Sequence, residues 1–434
     1  MARFLFVTVP VTGHVSPLLP LARLLVERGH AVRWYTGSHF RQKIEATGAQ
    51  YAPYRVARDI DQEKLNDLFP ERAKLKGLAQ TKWDLRHLVI GMILEQVEDL
   101  TTIMADFAPD VMVGDVLSTG AIHAAEKHGL PMAVINPLNL ITPSRDTAPN
   151  GLALPPSSTP LGRARNQALN WLVSHVVLRD LNQELKQVRA TLGMPPISES
   201  LFEGPLRRSD LFMQPTIPAF EYPRSDNPPH LRFIGALLPD GTAEFTPPDW
   251  WPELEAGRPV VLVTQGTMAT NFDQLLRPAI RGLAEEDVLV LATTGNIPPE
   301  AVGLDPLPSN VRLVPFIPYA RLMPHVDVMV TNGGYGGTNF ALSNGVPLVA
   351  GGLTEDKSEI CARIAWAGVG INLKTNMPTP EQIRQAVRTA LSDPRYKQKA
   401  QAMQAEFARY DGKVIAADLL EELAARGPRT AARR

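Results

Sequence analysis

His14 and Asp115 are the two side chains whose types and placement could do acid–base chemistry. His14 follows the apolar run Phe4 to Val9 in the turn PVTGH, and Asp115 follows the run VMVG; each stands just before a helical pattern. In an open α/β sheet, ligands bind beyond the carboxyl ends of the strands, where both residues would sit. If the two strands lie close together, the side chains meet. An imidazole held by a carboxylate on one nitrogen is a general base on the other. On position alone, His14 is equally a loop histidine that closes its turn. Asp110 precedes its strand and belongs at the opposite sheet edge.

A second constellation is TNGGYGGTNFALSNGVPLVAGGLTEDKSE, residues 331–359. An apolar strand runs into Asn332-Gly333-Gly334-Tyr335-Gly336-Gly337-Thr338 and then into a helical pattern. Glycines let a ligand approach the backbone, and the N–H groups of a helix start suit a diphosphate. The spacing does not match GxGxxG, and the absence of GKS or GKT excludes a P-loop NTPase. The bland alternative is a glycine-rich turn without a ligand.

The remaining candidates divide between packing and binding. Trp83 and His87 lie four apart on a helical stretch, which suits either the wall of an acceptor pocket or core packing, and Asn136 stands in the long loop after the strand Met132 to Ile135. The other histidines show no metal-ligand spacing, and the single Cys361 rules out an intramolecular disulfide or a multi-cysteine zinc site. We expect Cys361 to be a buried thiol, and Trp250 and Trp251 to anchor a connection by packing.

These residues need elements to hold them. Short apolar strands alternate with helical patterns in two series. In the first, Phe4–Val9, Ala31–Tyr35, Asp110–Gly114 and Met132–Ile135 are strands; Ser16-Pro17 opens one helix and Gly120–His128 forms another. In the second, Val260–Thr264, Val288–Ala292, Val311–Val314, Val328–Thr331 and Pro347–Ala350 alternate with helices at Phe272–Leu283, Gly337–Ser343 and Glu355–Ala367. Such alternation predicts an α/β protein with two Rossmann-like domains and parallel sheets. A proline-dense stretch separates them, so we place a first domain at 1–237, a linker at 238–257 and a second domain at 258–434, with the C-terminal helix free to pack back on the first. The long irregular stretch from Ile135 to Gly162 reads as a lid or binding loop.

Length and composition agree with this. The chain has 434 residues, 44% hydrophobic and 21% charged, which fits a two-domain globular protein rather than a disordered one. A net charge of −1 gives no footprint for nucleic acid. The opening MARFLFVTVPV has too short an apolar run and the wrong flank for a signal peptide, and no run is long enough to span a membrane. A cytoplasmic location is expected, with oligomeric state open.

As a set, TGHVSP near the start, the late NGGYGG, GVP and the acidic residue one strand later resemble the UGT-like nucleotide-sugar glycosyltransferases of the GT-B superfamily, over essentially the whole chain. The resemblance implies two facing Rossmann domains with a cleft between them, acceptor bound mainly by the first and donor by the second. It implies inverting transfer from a nucleoside diphosphate sugar without a metal or other cofactor. His14 would deprotonate an acceptor hydroxyl and Asp115 would orient it. Thr267 in TQGT would contact the diphosphate, and Phe316 of PFIPY would stack on the base. Gly334, Gly337 and Thr338 would donate backbone or hydroxyl protons to phosphate, and Asp356 would accept from sugar hydroxyls.

Four departures touch the donor end. Asn332 stands for a usual His, Lys357 for a Gln, Phe340 for a Glu that often holds ribose, and Tyr319 for a Gln near the base. The expected function is therefore an O-glycosyltransferase using a UDP- or dTDP-sugar, glucose by default, on a hydrophobic small-molecule acceptor such as a phenol, flavonoid, polyketide or lipid. A non-catalytic nucleotide-sugar-binding protein and a nucleotide-sugar epimerase on the same fold are the alternatives.

Overall fold

The computed structural model describes residues 1–61, 64–238, 245–266, 271–295 and 297–427. Among the described residues, thirteen short strands form two all-parallel sheets. The first comprises β1 (Arg3–Val7), β2 (Ala31–Tyr35), β3 (Gln50–Ala52), β4 (Val111–Asp115), β5 (Met132–Ile135), β6 (Leu211–Gln214) and β7 (Leu231–Phe233), in the order β3-β2-β1-β4-β5-β6-β7. The second comprises β8 (Val260–Thr264), β9 (Leu289–Thr293), β10 (Val311–Val314), β11 (Val328–Thr331), β12 (Leu348–Ala350) and β13 (Gly370–Asn372), in the order β10-β9-β8-β11-β12-β13. These are the two Rossmann-like domains expected from the alternating patterns.

The central strands are continuous apolar runs because both faces are covered. In β1, Phe4 and Phe6 point into one buried cluster while Leu5 and Val7 point into another. In β8, Val261 and Val263 likewise face one side and Val260 and Leu262 the other. The covering helices contribute stripes at helical spacing, such as Leu21, Ala22 and Leu25.

Several boundaries differ from expectation for identifiable reasons. Ser16-Pro17 does not open the first helix: α1 (Thr12–Val15) already starts one turn earlier, a 3-10 turn (Ser16–Leu18) follows, and α2 (Leu19–Glu27) continues it. His14 is therefore inside a helical turn. Asp110 is outside β4, since its carboxylate accepts from Arg3 N–H at 2.7 Å; Asp115 is the strand's last residue. Further helices used below are α3 (Thr119–His128), α4 (Tyr335–Ser343), α5 (Lys357–Trp366) and α6 (Gly412–Arg426).

The two domains share chain. Ile217 and Phe220, which precede β7, are buried in the core of the second sheet. In the opposite direction, α6 lays Ala416, Ala417, Leu420 and Leu423, all fully buried, on the first sheet beside Phe4 and Leu18. Within the stretch placed as a linker, Trp251 packs edge-on against Phe245 and His325, and Leu254 enters the second core. No helix among the described residues is long and apolar enough to cross a membrane.

Candidate active site

In each sheet the strand order reverses beside its first strand, between β1 and β4 and between β8 and β11. Loops leaving two such neighbours diverge to opposite faces and open a crevice. In the first sheet, β1 and β4 pair from Phe4–Val111 to Val7–Gly114, so the residues that follow come out side by side. His14 and Asp115 meet there: Nδ1 lies 3.3 Å from Oδ1, with the imidazole nearly buried and the carboxylate fully so. The approach is within ion-pair reach but off the hydrogen-bond direction, so Nδ1 has no hydrogen-bond partner.

Asp115 is fixed independently of His14. Its oxygens accept from the N–H groups of Val9 (2.7 Å), Leu117 (2.7 Å) and Ser118 (3.1 Å) and from the Ser118 hydroxyl (3.0 Å). These donors satisfy the oxygens of a fully buried carboxyl group. The bond from Val9 also ties the loop after β1 to the end of β4, which sets where α1 starts.

In the second sheet, β11 ends at Thr331 and the chain turns through Asn332, Gly333 and Gly334 into α4. Gly333 has φ +88°, and a Cβ there would come within 2.7 Å of Cys361 Sγ, so both backbone and space demand glycine. Gly334 is the N-cap and offers no side chain. The first intrahelical bond runs from Thr338 N–H to Gly334 O, which leaves the N–H groups of Tyr335, Gly336 and Gly337 without helical acceptors. The Thr338 amide is thus taken up inside the helix, while its fully buried hydroxyl has no partner among the described residues.

The other donor-side candidates fall around this turn. The Asn332 side-chain amide donates to Gln265 O and so pins the tip of β11 to that of β8. Asp356 is the N-cap residue of α5. Desolvation pushes its carboxyl up to about 6, and the His14 imidazole is close enough to act on it in the opposite sense. Lys357 is no free cation, because its ammonium pairs with Glu355 and reaches Thr354 Oγ1 at 3.4 Å. It lines a small polar cavity with Gln265, Gln274, Asn332, Gly352 and Asn376. Phe316 is 60% exposed at the end of β10, as a stacking surface requires. Thr267 lies outside the described residues.

Two of the departures turn out to be one feature. Tyr319 and Phe340 meet edge-to-face with centroids 5.6 Å apart, and Phe340 is buried in the second core.

The acceptor-side candidates separate. His87 stacks on Trp83 with centroids 4.2 Å apart, and its Nδ1 is bonded to Trp83 O. Trp83 is otherwise buried against Phe69, while His87 lines a groove with Arg58, Ile90 and Val188. Asn136 is fully buried, and its amide donates to Asn139 O (3.1 Å) and Gln214 Oε1 (2.7 Å). Residues overlooked in the sequence are Gln214, Glu221, Tyr335, Glu359 and Arg363, which form a buried polar network between the domains. Only Glu359 and Arg363 carried a local signal, an acid and a base four apart on one helix.

Comparison with known proteins settles the family. Over 422 residues the chain is 47% identical to 4'-demethylrebeccamycin synthase of Lentzea aerocolonigenes, covering 97% of this chain and 99% of that protein. The chain is a UGT-like glycosyltransferase of the GT-B superfamily. It is also 35% identical to UDP-glycosyltransferase 2 of Phaeomoniella chlamydospora, across 96% and 94% of the two chains. Residues 283–422 match the family described as Erythromycin biosynthesis protein CIII-like, C-terminal domain. Among solved structures, the calicheamicin glycosyltransferase CalG4 superposes with TM-score 0.74 at 20% identity, over 98% of this chain and 99% of that one. The glycosyltransferase VinC in complex with dTDP superposes with TM-score 0.69 at 22% identity, over 98% and 100%. Membership in this glycosyltransferase family sets aside the epimerase and the non-catalytic binding protein.

Proposed function

We propose that this glycosyltransferase is an inverting, metal-independent O-glycosyltransferase that moves a sugar, glucose by default, from a UDP- or dTDP-sugar to a hydroxyl of a hydrophobic small molecule. The observation that carries the reading is the His14–Asp115 pair at the first switch point, opposed by Asp356 from the second domain. Polyketide, phenolic, flavonoid and lipid acceptors fit a family whose relatives carry names such as 4'-demethylrebeccamycin synthase and demethyllactenocin mycarosyltransferase.

The chemistry follows from the groups. An alcohol is a poor nucleophile, so His14 Nε2 takes its proton as the oxygen attacks the anomeric carbon. Asp115, 3.3 Å from Nδ1, stabilises the imidazolium that results. The bond to the diphosphate oxygen breaks on the opposite face, which inverts the anomeric centre. The N–H groups of Tyr335, Gly336 and Gly337 receive the charge that develops on the leaving diphosphate, a task a helix start performs without a metal. Ionised Asp356 accepts hydrogen bonds from the sugar hydroxyls.

The test is His14→Ala in a transfer assay alongside calorimetric binding of UDP and dTDP. Turnover should fall by roughly 10²–10⁴-fold, the usual contribution of a general base, with nucleotide affinity preserved. A variant that retains most of its turnover removes His14 from the role of base.

A further inference from the structure

Between the domains lies a set of buried charges that none of the steps above uses. Arg363 on α5, 2% exposed, donates from Nε to Glu221 Oε2 at 3.1 Å and from Nη1 to Glu359 Oε2 at 3.1 Å. Its guanidinium lies 4.1 Å from the centre of the Tyr222 ring. Burial opposes this charge, but the two carboxylates hold the group cationic. A buried ion pair contributes little net stability, because desolvation offsets most of the attraction, yet it is costly to break. Such a cluster fixes geometry more than it adds free energy.

What it fixes is specific. Glu359 Oε1 accepts from the N–H groups of Gly151 (2.8 Å) and Ala153 (2.7 Å) in the long first-domain loop. Glu221 Oε1 accepts from Leu140 N–H (3.2 Å) in the same loop and from the Tyr335 hydroxyl (2.9 Å). Tyr335 is the first residue of α4, and its hydroxyl also accepts from Gln214 Nε2 (2.9 Å), which in turn donates to Leu138 O (2.8 Å). On α5, Glu359 N–H donates to Asp356 O, so the acid that holds the loop sits in the first turn above the candidate sugar-binding residue. Both donor-site helix starts are thus bonded, through side chains, to one loop of the other domain.

We propose that Glu359 and Arg363 are positioning residues that tie the donor site to loop 136–153, so that a nucleotide seated on α4 and α5 tightens that loop over the acceptor side. The inference rests on the donor assignment made above. A ligand shifts such an equilibrium only by its differential affinity for the two loop states, and the network supplies the mechanical link.

Hydrogen exchange read by mass spectrometry on the full chain, with and without saturating UDP or dTDP, tests it. In the wild type, nucleotide should slow exchange of the amides of residues 138–153 by roughly tenfold, within the usual range of coupling between sites. In Glu359→Gln that response should disappear while nucleotide affinity stays within about threefold. Tyr335→Phe, which keeps the α4 backbone and cuts only the hydroxyl link, should lose the response at residues 138–140 and so serves if Glu359→Gln fails to fold. A merely structural role would change basal exchange without removing the response to ligand. Nucleotide binding with no change in the loop, or an undiminished response in both variants, overturns the coupling alone. Failure of either nucleotide to bind overturns the donor assignment and the coupling with it.

Discussion

Asp356 is pulled two ways. The role at a sugar proposed for it needs the ionised form, while desolvation favours the neutral one and pushes its carboxyl up to about 6. Donor affinity should therefore fall as pH drops through about 6, and Asp356→Asn should flatten that dependence while weakening binding overall. The stability effect has the opposite sign. A carboxyl raised above its unfolded value of about 4 holds more protons when folded, so its contribution declines as pH rises through the window between the two values. Thermal unfolding of Asp356→Asn across that window should lack the decline; a wild-type profile as flat as the mutant's would show that the carboxyl is not raised. At this scale the sequence was informative wherever a residue followed an apolar run, as His14 and Asp115 do. It was silent about Glu221 and Arg363, which sit 142 positions apart and meet only because two domains close on each other. Residue type also did not reveal that the Asn136 amide is taken up by Asn139 O and Gln214 Oε1.

Among elements, the turn from β11 into α4 makes the sharpest demand on the backbone. Gly333→Ala adds strain at φ +88° and a clash with Cys361 Sγ, and should destabilise by about 1–3 kcal/mol while weakening nucleotide binding. Gly336 is the control: a Cβ there meets nothing within 4 Å, so Gly336→Ala should leave the melting temperature equal or higher, by up to about 1 kcal/mol of helix stabilisation. Equal melting temperatures for the two variants would remove the conformational argument. The strand Val260–Thr264 was legible to the residue because a continuous apolar run entered from Pro259 and closed by Thr264 leaves little choice of bounds; Ala31–Tyr35 was legible too, although Arg33 interrupts its run. The start of the first helix was not, because Ser16-Pro17 has the composition of a cap but lies one turn inside, where Val9 bonded to Asp115 has already set the entry. That bond joins residues 106 positions apart, and no local propensity encodes it.

For the whole molecule, α6 decides how independent the domains are. Leu420 is fully buried against the first sheet although it lies near the end of the chain, Arg28 pairs with Asp418 and Glu421 on the same helix, and His30 Nε2 donates to Glu421 Oε1 at 2.9 Å. Leu420→Ala should cost about 2–5 kcal/mol, as for other large-to-small changes in a core. Calorimetry should show the loss in the transition that melts the first domain. A variant melting within about 1 °C of the wild type would mean that the helix is not docked in solution, since a cost of this size moves a transition by several degrees.

That same docking sets a rule for recombination. Because the first and last described elements belong to one body, the half built on the second sheet is threaded into the half built on the first rather than appended to it. A hybrid spliced at a single point near residue 250 would bring a foreign final helix to a sheet shaped for Ala416, Ala417, Leu420 and Leu423. Exchanging the second-sheet halves between relatives therefore calls for two seams, one before β8 and one before Gly412, so that each sheet keeps the helix that was made for it.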